Sequence, residues 1–348
     1  MAAETSFELP LSSDTLFLLS RGDRLDGTVK VETSRYQASG FASVHVLMRY
    51  WFPTAVERTK ACLVSRGINE DGVGLFAPVY RIPGRPGWDY QLSFEITVTL
   101  PENAALNPLV IKNFETDVPN GRHDIADIGS RVLFETISLK GTNAGFESKN
   151  LTSVQSLTAQ HGYIYTTNGR ISGKFSTNDT LRLVTSDGRI TANVDLQSDS
   201  ATARPKLEAI TKDGRIETDI NLISRVNGGR GGSFDVVTTT KDAQLDVKFP
   251  KSPVDSTLNF IASTKDARAS VTLNPAYEGT FDLHTSSHSK VNIDLFQGVD
   301  PAGKNRDRHI AFTHQNNNEF VGRVSWDPRN SYRGSVVVRT NAALYARI

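Results

Sequence analysis

Five basic side chains share one setting in this sequence. Arg170, Arg189, Arg215, Arg268 and Lys290 each stand immediately before an apolar residue: Ile171, Ile190, Ile216, Ala269 and Val291. Strand alternation points the basic residue outward if its apolar neighbour points inward. On strands stacked at about 4.8 Å they would align as a cationic stripe, able to track an anionic polymer such as an acidic glycan or a surface of phospholipid headgroups. Asp187, Asp213 and Asp266 lie two residues before their arginines. The same pattern therefore also reads as a self-paired Asp/Arg ladder that solvates the surface and blunts edge pairing.

Other chemistry is sparser. Trp88 closes the rigid loop Pro83-Gly84-Arg85-Pro86-Gly87 and is a candidate platform for a sugar ring, as is Trp326; either could equally pack a cap. His284 and His288 have a helical metal spacing but fall in a Ser-rich strand and turn, and His309 and His314 take opposite parity on a strand, so solvated positions suit both pairs better than ligands. There is no Gly-x-Ser-x-Gly elbow, phosphate-binding glycine loop or metal-ligand run, and no cofactor is expected. An enzyme on this scaffold would carry its site on non-repetitive loops, and 81–89 and 306–314 are the segments of that kind.

The elements that position these groups repeat a phrase: Thr166-Thr167-Asn168-Gly169-Arg170-Ile171, Thr185-Ser186-Asp187-Gly188-Arg189-Ile190, and Thr211-Lys212-Asp213-Gly214-Arg215-Ile216. It continues from Thr240, Thr264 and Thr285 with Ala or Ser replacing the glycine. Alternating runs flank each turn. Leu181, Leu183 and Thr185 share a face, as do Ile190, Ala192, Val194 and Leu196, and the parity recurs through Phe281, Leu283 and Thr285 with Val291 and Ile293. The threonines thus point inward, where their hydroxyls can bond turn backbone, which argues against an ice-binding face. Joins this short exclude helices. The runs must stack either as a coil or as a meander of Asp-Gly hairpins, and like residues recurring at like places favour the coil.

Before the phrase begins, 28–33, 44–52 and 93–100 read as strands and 54–63 as a short helix after Pro53. The Asn-, Asp-, Gly- and Pro-rich stretch 107–131 marks a boundary. The organisation expected is an N-terminal β region over 1–128, repeats over 129–294, and closing strands over 295–348.

The chain has 348 residues and a formal net charge of +1, so no bulk field draws it to nucleic acid. Cys62 is the lone cysteine, and residues 1–20 lack the basic region and apolar core of a secretory signal. No apolar run is long enough for a transmembrane helix. These features point to a cytoplasmic protein, with a cell-surface or non-classically secreted one as the alternative.

The strand ending Val98-Thr99-Leu100-Pro101, followed by the Thr-x-Asp/Asn-Gly-x-Ile units, resembles the adhesin-type β-solenoid family of unknown function found in bacteria and in fungal genomes. The resemblance covers roughly residues 90–295. It implies a right-handed parallel β-solenoid and a surface, scaffold or adhesive role, and offers no catalytic residues. The expectation is an all-β, right-handed parallel β-solenoid with an irregular N-terminal β region and C-terminal capping strands. Its expected function is non-catalytic and adhesin-like, with a polysaccharide or another anionic surface as partner. A carbohydrate-active or other enzyme with its site on the non-repetitive loops is the alternative.

Overall fold

A computed structural model describes residues 1–78, 91–102, 107–142, 151–226 and 228–348. The chain is all-β and mostly parallel, and it divides into two compact units, Met1–Gly173 and Lys174–Ile348.

The first unit contains β1 (Ala2–Pro10), β2 (Thr15–Arg21), β3 (Leu25–Ser34), β4 (Phe41–Tyr50), α1 (Pro53–Glu57), β5 (Lys60–Gly67), β6 (Glu70–Phe76), β7 (Leu92–Pro101), β8 (Leu109–Asp117), β9 (Gly121–Asp127), β10 (Val132–Gly141) and β11 (Leu151–Thr166). The strands read at 28–33, 44–52 and 93–100 are present as β3, β4 and β7. The helix expected to Leu63 stops at Glu57, because Lys60–Gly67 pairs antiparallel with β6 instead. The segment 107–131 carries β8 and β9. β2 lies parallel between β6 and β8, and β3 lies parallel between β7 and β9. The rung formed by β2 and β3 is thus held between rungs that come later in sequence. β4 and β1 then extend the sheet antiparallel from β7.

β12 (Arg170–Thr177) runs across the division. The second unit continues with β13 (Thr180–Val184), β14 (Ile190–Ser198), β15 (Lys206–Ile210), β16 (Ile216–Ser224), β17 (Ser233–Thr239), β18 (Leu245–Lys251), β19 (Thr257–Ser263), β20 (Ala269–Thr272), β21 (Gly279–His284), β22 (Val291–Asp294), β23 (His309–Gln315), β24 (Glu319–Ser325), β25 (Gly334–Arg339) and β26 (Leu344–Arg347). From β13 to β20 the parallel partner is the next strand but one: β13 pairs β15, β15 pairs β17 and β17 pairs β19, while β14 pairs β16, β16 pairs β18 and β18 pairs β20. A hairpin meander would pair sequence neighbours antiparallel, so the Asp-Gly turns here join strands of different ladders.

In-register pairing stacks like with like. Leu181, Leu207, Val236 and Phe260 follow one another in one ladder, and Ile190, Ile216, Leu245 and Ala269 in the other; all are buried. At about 25 cal/mol per Å² of apolar surface removed from water, these columns drive the stacking. The threonines are buried beside them and join turn to turn. Thr211 Oγ1 donates toward Ser186 O and Gly188 O and accepts from Gly214 N, and Thr240 Oγ1 donates toward Lys212 O and Gly214 O. Successive turns approach so closely that a Cβ on Gly214 would sit 1.7 Å from Gly188 O. Close approach, not a left-handed backbone, keeps that position glycine.

The closing strands differ from expectation. β24 does pair antiparallel with β21 and carries β23 on its other edge, as a cap would. β25 and β26, however, lie inside the stack: β25 is parallel to both β19 and β21, and β26 to both β20 and β22. The chain leaves one rung open after β20, builds the next, and returns to fill the gap. An alternating run such as 334–339 shows that it is a strand but not which edges it joins.

Candidate functional site

Backbone hydrogen bonds fix which turn residues are neighbours in the second unit. Lys212 N donates to Ser186 O, Lys241 N to Lys212 O, Lys265 N to Lys241 O and Asn341 N to Lys265 O, each at 2.9 Å. Lys212, Lys241 and Lys265 therefore form an uninterrupted column, with side chains 62%, 50% and 61% exposed. Each ammonium faces the aspartate that follows it, Asp213, Asp242 and Asp266, at 3.3, 3.4 and 3.9 Å. Exposed pairs of this kind contribute about 0–1 kcal/mol, so the ammonium groups can turn to a ligand at little cost.

Thr239, Ser263, Arg339 and His284 lie opposite one another on β17, β19, β25 and β21. Ser263 Oγ donates to Thr239 Oγ1 at 3.3 Å, and Arg339 Nη2 donates to Asp282 Oδ2 at 2.7 Å. With Lys241, Lys265 and Asn341, this row lines an open cleft of about 460 Å³. Ammonium, guanidinium, imidazole, hydroxyl and amide groups converge there, as a hydroxyl-rich anionic ligand requires. Among the described residues no group of three or more His, Cys, Asp or Glu side chains could hold a metal ion.

The arginine positions fall in a parallel column of mixed character. Ile190 N bonds Arg215 O, Ile216 N bonds Gln244 O, Leu245 N bonds Arg268 O, Ala269 N bonds Ala343 O and Leu344 N bonds Lys290 O. The order is Arg189, Arg215, Gln244, Arg268, Ala343, Lys290, so only Arg189 and Arg215 are neighbours among these. Arg189 meets Glu217 at 3.0 Å, and Arg215 lies 3.8 Å from both Glu217 and Asp246. Their balancing carboxylates therefore come from β16 and β18, on the same or the next rung, while Asp213 goes to Lys212. Arg268 rests over the Tyr345 ring, 5.6 Å from its centroid. Arg170 and Lys290 are exposed. Trp88 lies outside the described residues, as does 81–89 as a whole.

Trp326 is 3% exposed and donates its indole N–H to Pro275 O at 2.8 Å, so it packs and is no platform. His309 and His314 are exposed on β23. Sequence reasoning passes over the lysines, although Lys212, Lys241 and Lys265 each follow the phrase's threonine directly. It has no means of finding Arg339 or Asn341, which enter the groove only through the inserted strand.

No protein-family model matches the chain, and no curated protein matches its sequence. Solved structures that align with it include a candidate cell adhesion protein from Clostridium sporogenes, with 9% identity and a TM-score of 0.20 over 100% of this chain and 99% of the other. They also include a candidate adhesin from Parabacteroides merdae, with 8% identity and a TM-score of 0.30 over 78% of this chain and 93% of that one. Alignments at such scores establish no shared fold, and the roles named for those proteins stay with them.

Proposed function

We propose that this chain is a non-catalytic, adhesin-like binding protein that holds an acidic glycan in the groove of Lys241, Lys265, Arg339 and His284. The observation that supports this reading most is the alignment of those groups, with the Thr239 and Ser263 hydroxyls, across neighbouring strands in one open cleft. Arg189, Arg215, Arg268 and Lys290 belong to the proposal as flanking cations. The scaffold in this reading is a right-handed β-solenoid, with an N-terminal region over 1–128, repeats over 129–294 and a C-terminal segment over 295–348. Among the described residues no helix is long and apolar enough to cross a membrane. A polysaccharide ligand suits a cell-surface or secreted location.

Retention on immobilised heparin and an acidic-glycan array, each across a salt series, tests the reading. The expected result is binding at low ionic strength that weakens with salt and falls at least tenfold in a Lys241→Ala, Lys265→Ala, Arg339→Ala variant of unchanged melting temperature. No retention at low salt, undiminished retention of that variant, or turnover of the bound glycan would overturn it.

A further inference from the structure

A second cleft, of about 700 Å³, opens against the β23–β24 hairpin, with Arg308, Arg323, His309, Ser325, Ser331 and Tyr332 in its wall. Arg308 makes two cation–π contacts, its guanidinium 5.6 Å from the Phe296 centroid and 5.3 Å from that of Trp326. Its Nη1 donates to Pro275 O at 2.7 Å, while Nε and Nη2 are buried and have no hydrogen-bond partner. Burial pushes the guanidinium down to about 10, which still leaves it charged at neutral pH. Buried donors on a charged group are costly to leave unmatched. Arg323 reaches Tyr332 through a 2.5 Å bond to the phenol oxygen and a cation–π contact of 5.5 Å.

Among the described residues no carboxylate lines this cleft, and the charge of Glu278, which does act on Arg308, is shared with other donors. Glu278 accepts from Trp326 N, Asp327 N and Asn330 Nδ2 at 2.8–2.9 Å and faces Arg333 at 3.7 Å. Asp300 holds Arg306 at 2.7 Å, and Asp327 holds Arg329 at 2.8 Å. The wall is thus cationic and partly aromatic, with Tyr332 72% exposed. Planar guanidinium groups match planar carboxylates, and an exposed phenol offers a flat apolar face.

We propose that this cleft binds a small molecule carrying a carboxylate beside a ring, the carboxylate drawn to Arg308 and Arg323 and the ring laid against Tyr332. Such a molecule is either the uronic acid residue of a glycan or a free aromatic acid. The cleft stands apart from the lysine groove and does not depend on it.

Titrating the full chain, labelled with ¹⁵N-arginine, with glucuronate, benzoate or glucose tests the proposal. At least one acid is expected to shift the Arg308 and Arg323 Nε–H resonances, with glucose doing nothing. Arg323→Gln and Tyr332→Leu, on the open wall, should each weaken that binding at least tenfold in a folded protein, and Lys241→Ala should leave it unchanged. A response to glucuronate identifies the glycan residue as the source, a response to benzoate identifies the free acid, and either supports the site. Shifts no larger for the acids than for glucose, or affinity undiminished in both wall variants, would overturn it.

Discussion

Thr340 donates its hydroxyl hydrogen to the carbonyl of Ala267 at 2.7 Å, across 73 residues of sequence. The same oxygen accepts from Ala342 N at 3.0 Å. Thr340 therefore stands in line with Thr211, Thr240 and Thr264 as one more step of the turn-to-turn ladder, supplied from the far end of the chain. Thr285 continues the ladder with a bond to Ala342 O.

This ladder predicts opposite signs for one substitution. Thr340→Val strands a carbonyl and an amide and should cost about 1–3 kcal/mol. Thr238 is fully buried among apolar side chains with an unpartnered hydroxyl, so Thr238→Val should be neutral or stabilising by up to about 1 kcal/mol. Urea unfolding midpoints at constant m-value check both.

The inserted rung should behave as core, although it is the last in sequence order of the strands described. Leu344 is fully buried between Ala269 and Val291, so Leu344→Ala should lose about 2–5 kcal/mol. Because Thr264 N and Ala269 N donate to Arg339 O and Ala343 O, hydrogen exchange at those amides should accelerate with it. Unchanged protection there would mean that the rung is only loosely held.

The faces of these strands are legible in the amino-acid sequence, and their partners are not. Inward parity at Leu181, Ile190, Phe260 and Phe281 follows from period-2 alternation, and the inward threonines follow from the same count. Parity names a face but no neighbour. Nothing local in Gly334–Arg339 says that its edges belong to β19 and β21, and Thr340-Asn341-Ala342-Ala343-Leu344 is one residue shorter than the phrase it completes. An arginine column counted along the repeats omits that strand, so it misses Ala343, and Arg339 of the groove goes unseen for the same reason. Gln244 escapes the same count because it holds the arginine's place without its charge.

His123 supplies a pH dependence. It is 1% exposed, lies 2.6 Å from Thr116 Oγ1, and burial pushes its imidazole down to about 4 from an ordinary 6.5. Between those values the unfolded chain takes up a proton that the folded chain refuses. Stability from this site is therefore full above 6.5 and falls as pH drops toward 4, by on the order of 3 kcal/mol. His123→Gln should flatten that part of the stability profile, and chemical denaturation of wild type and variant at several pH values between 4 and 7 measures it.

Arg339 bears on the glycan reading most directly, because Asp282 holds its guanidinium at 2.7 Å in the groove. The pair is partly exposed and contributes little to folding, yet it competes with an incoming anion for the same donors. Asp282→Asn keeps the shape, removes the competing charge and leaves the backbone pairing of β21 intact. It should raise affinity for an acidic glycan several-fold at low salt, with the gain shrinking as ionic strength rises and with little change in melting temperature. Since Arg339→Ala removes the donor that Asp282→Asn frees, the double variant should show no gain over Arg339→Ala alone. Binding measured across that double-mutant cycle at two salt concentrations separates a direct contact with Arg339 from a general change in surface charge, which would raise affinity equally in both backgrounds.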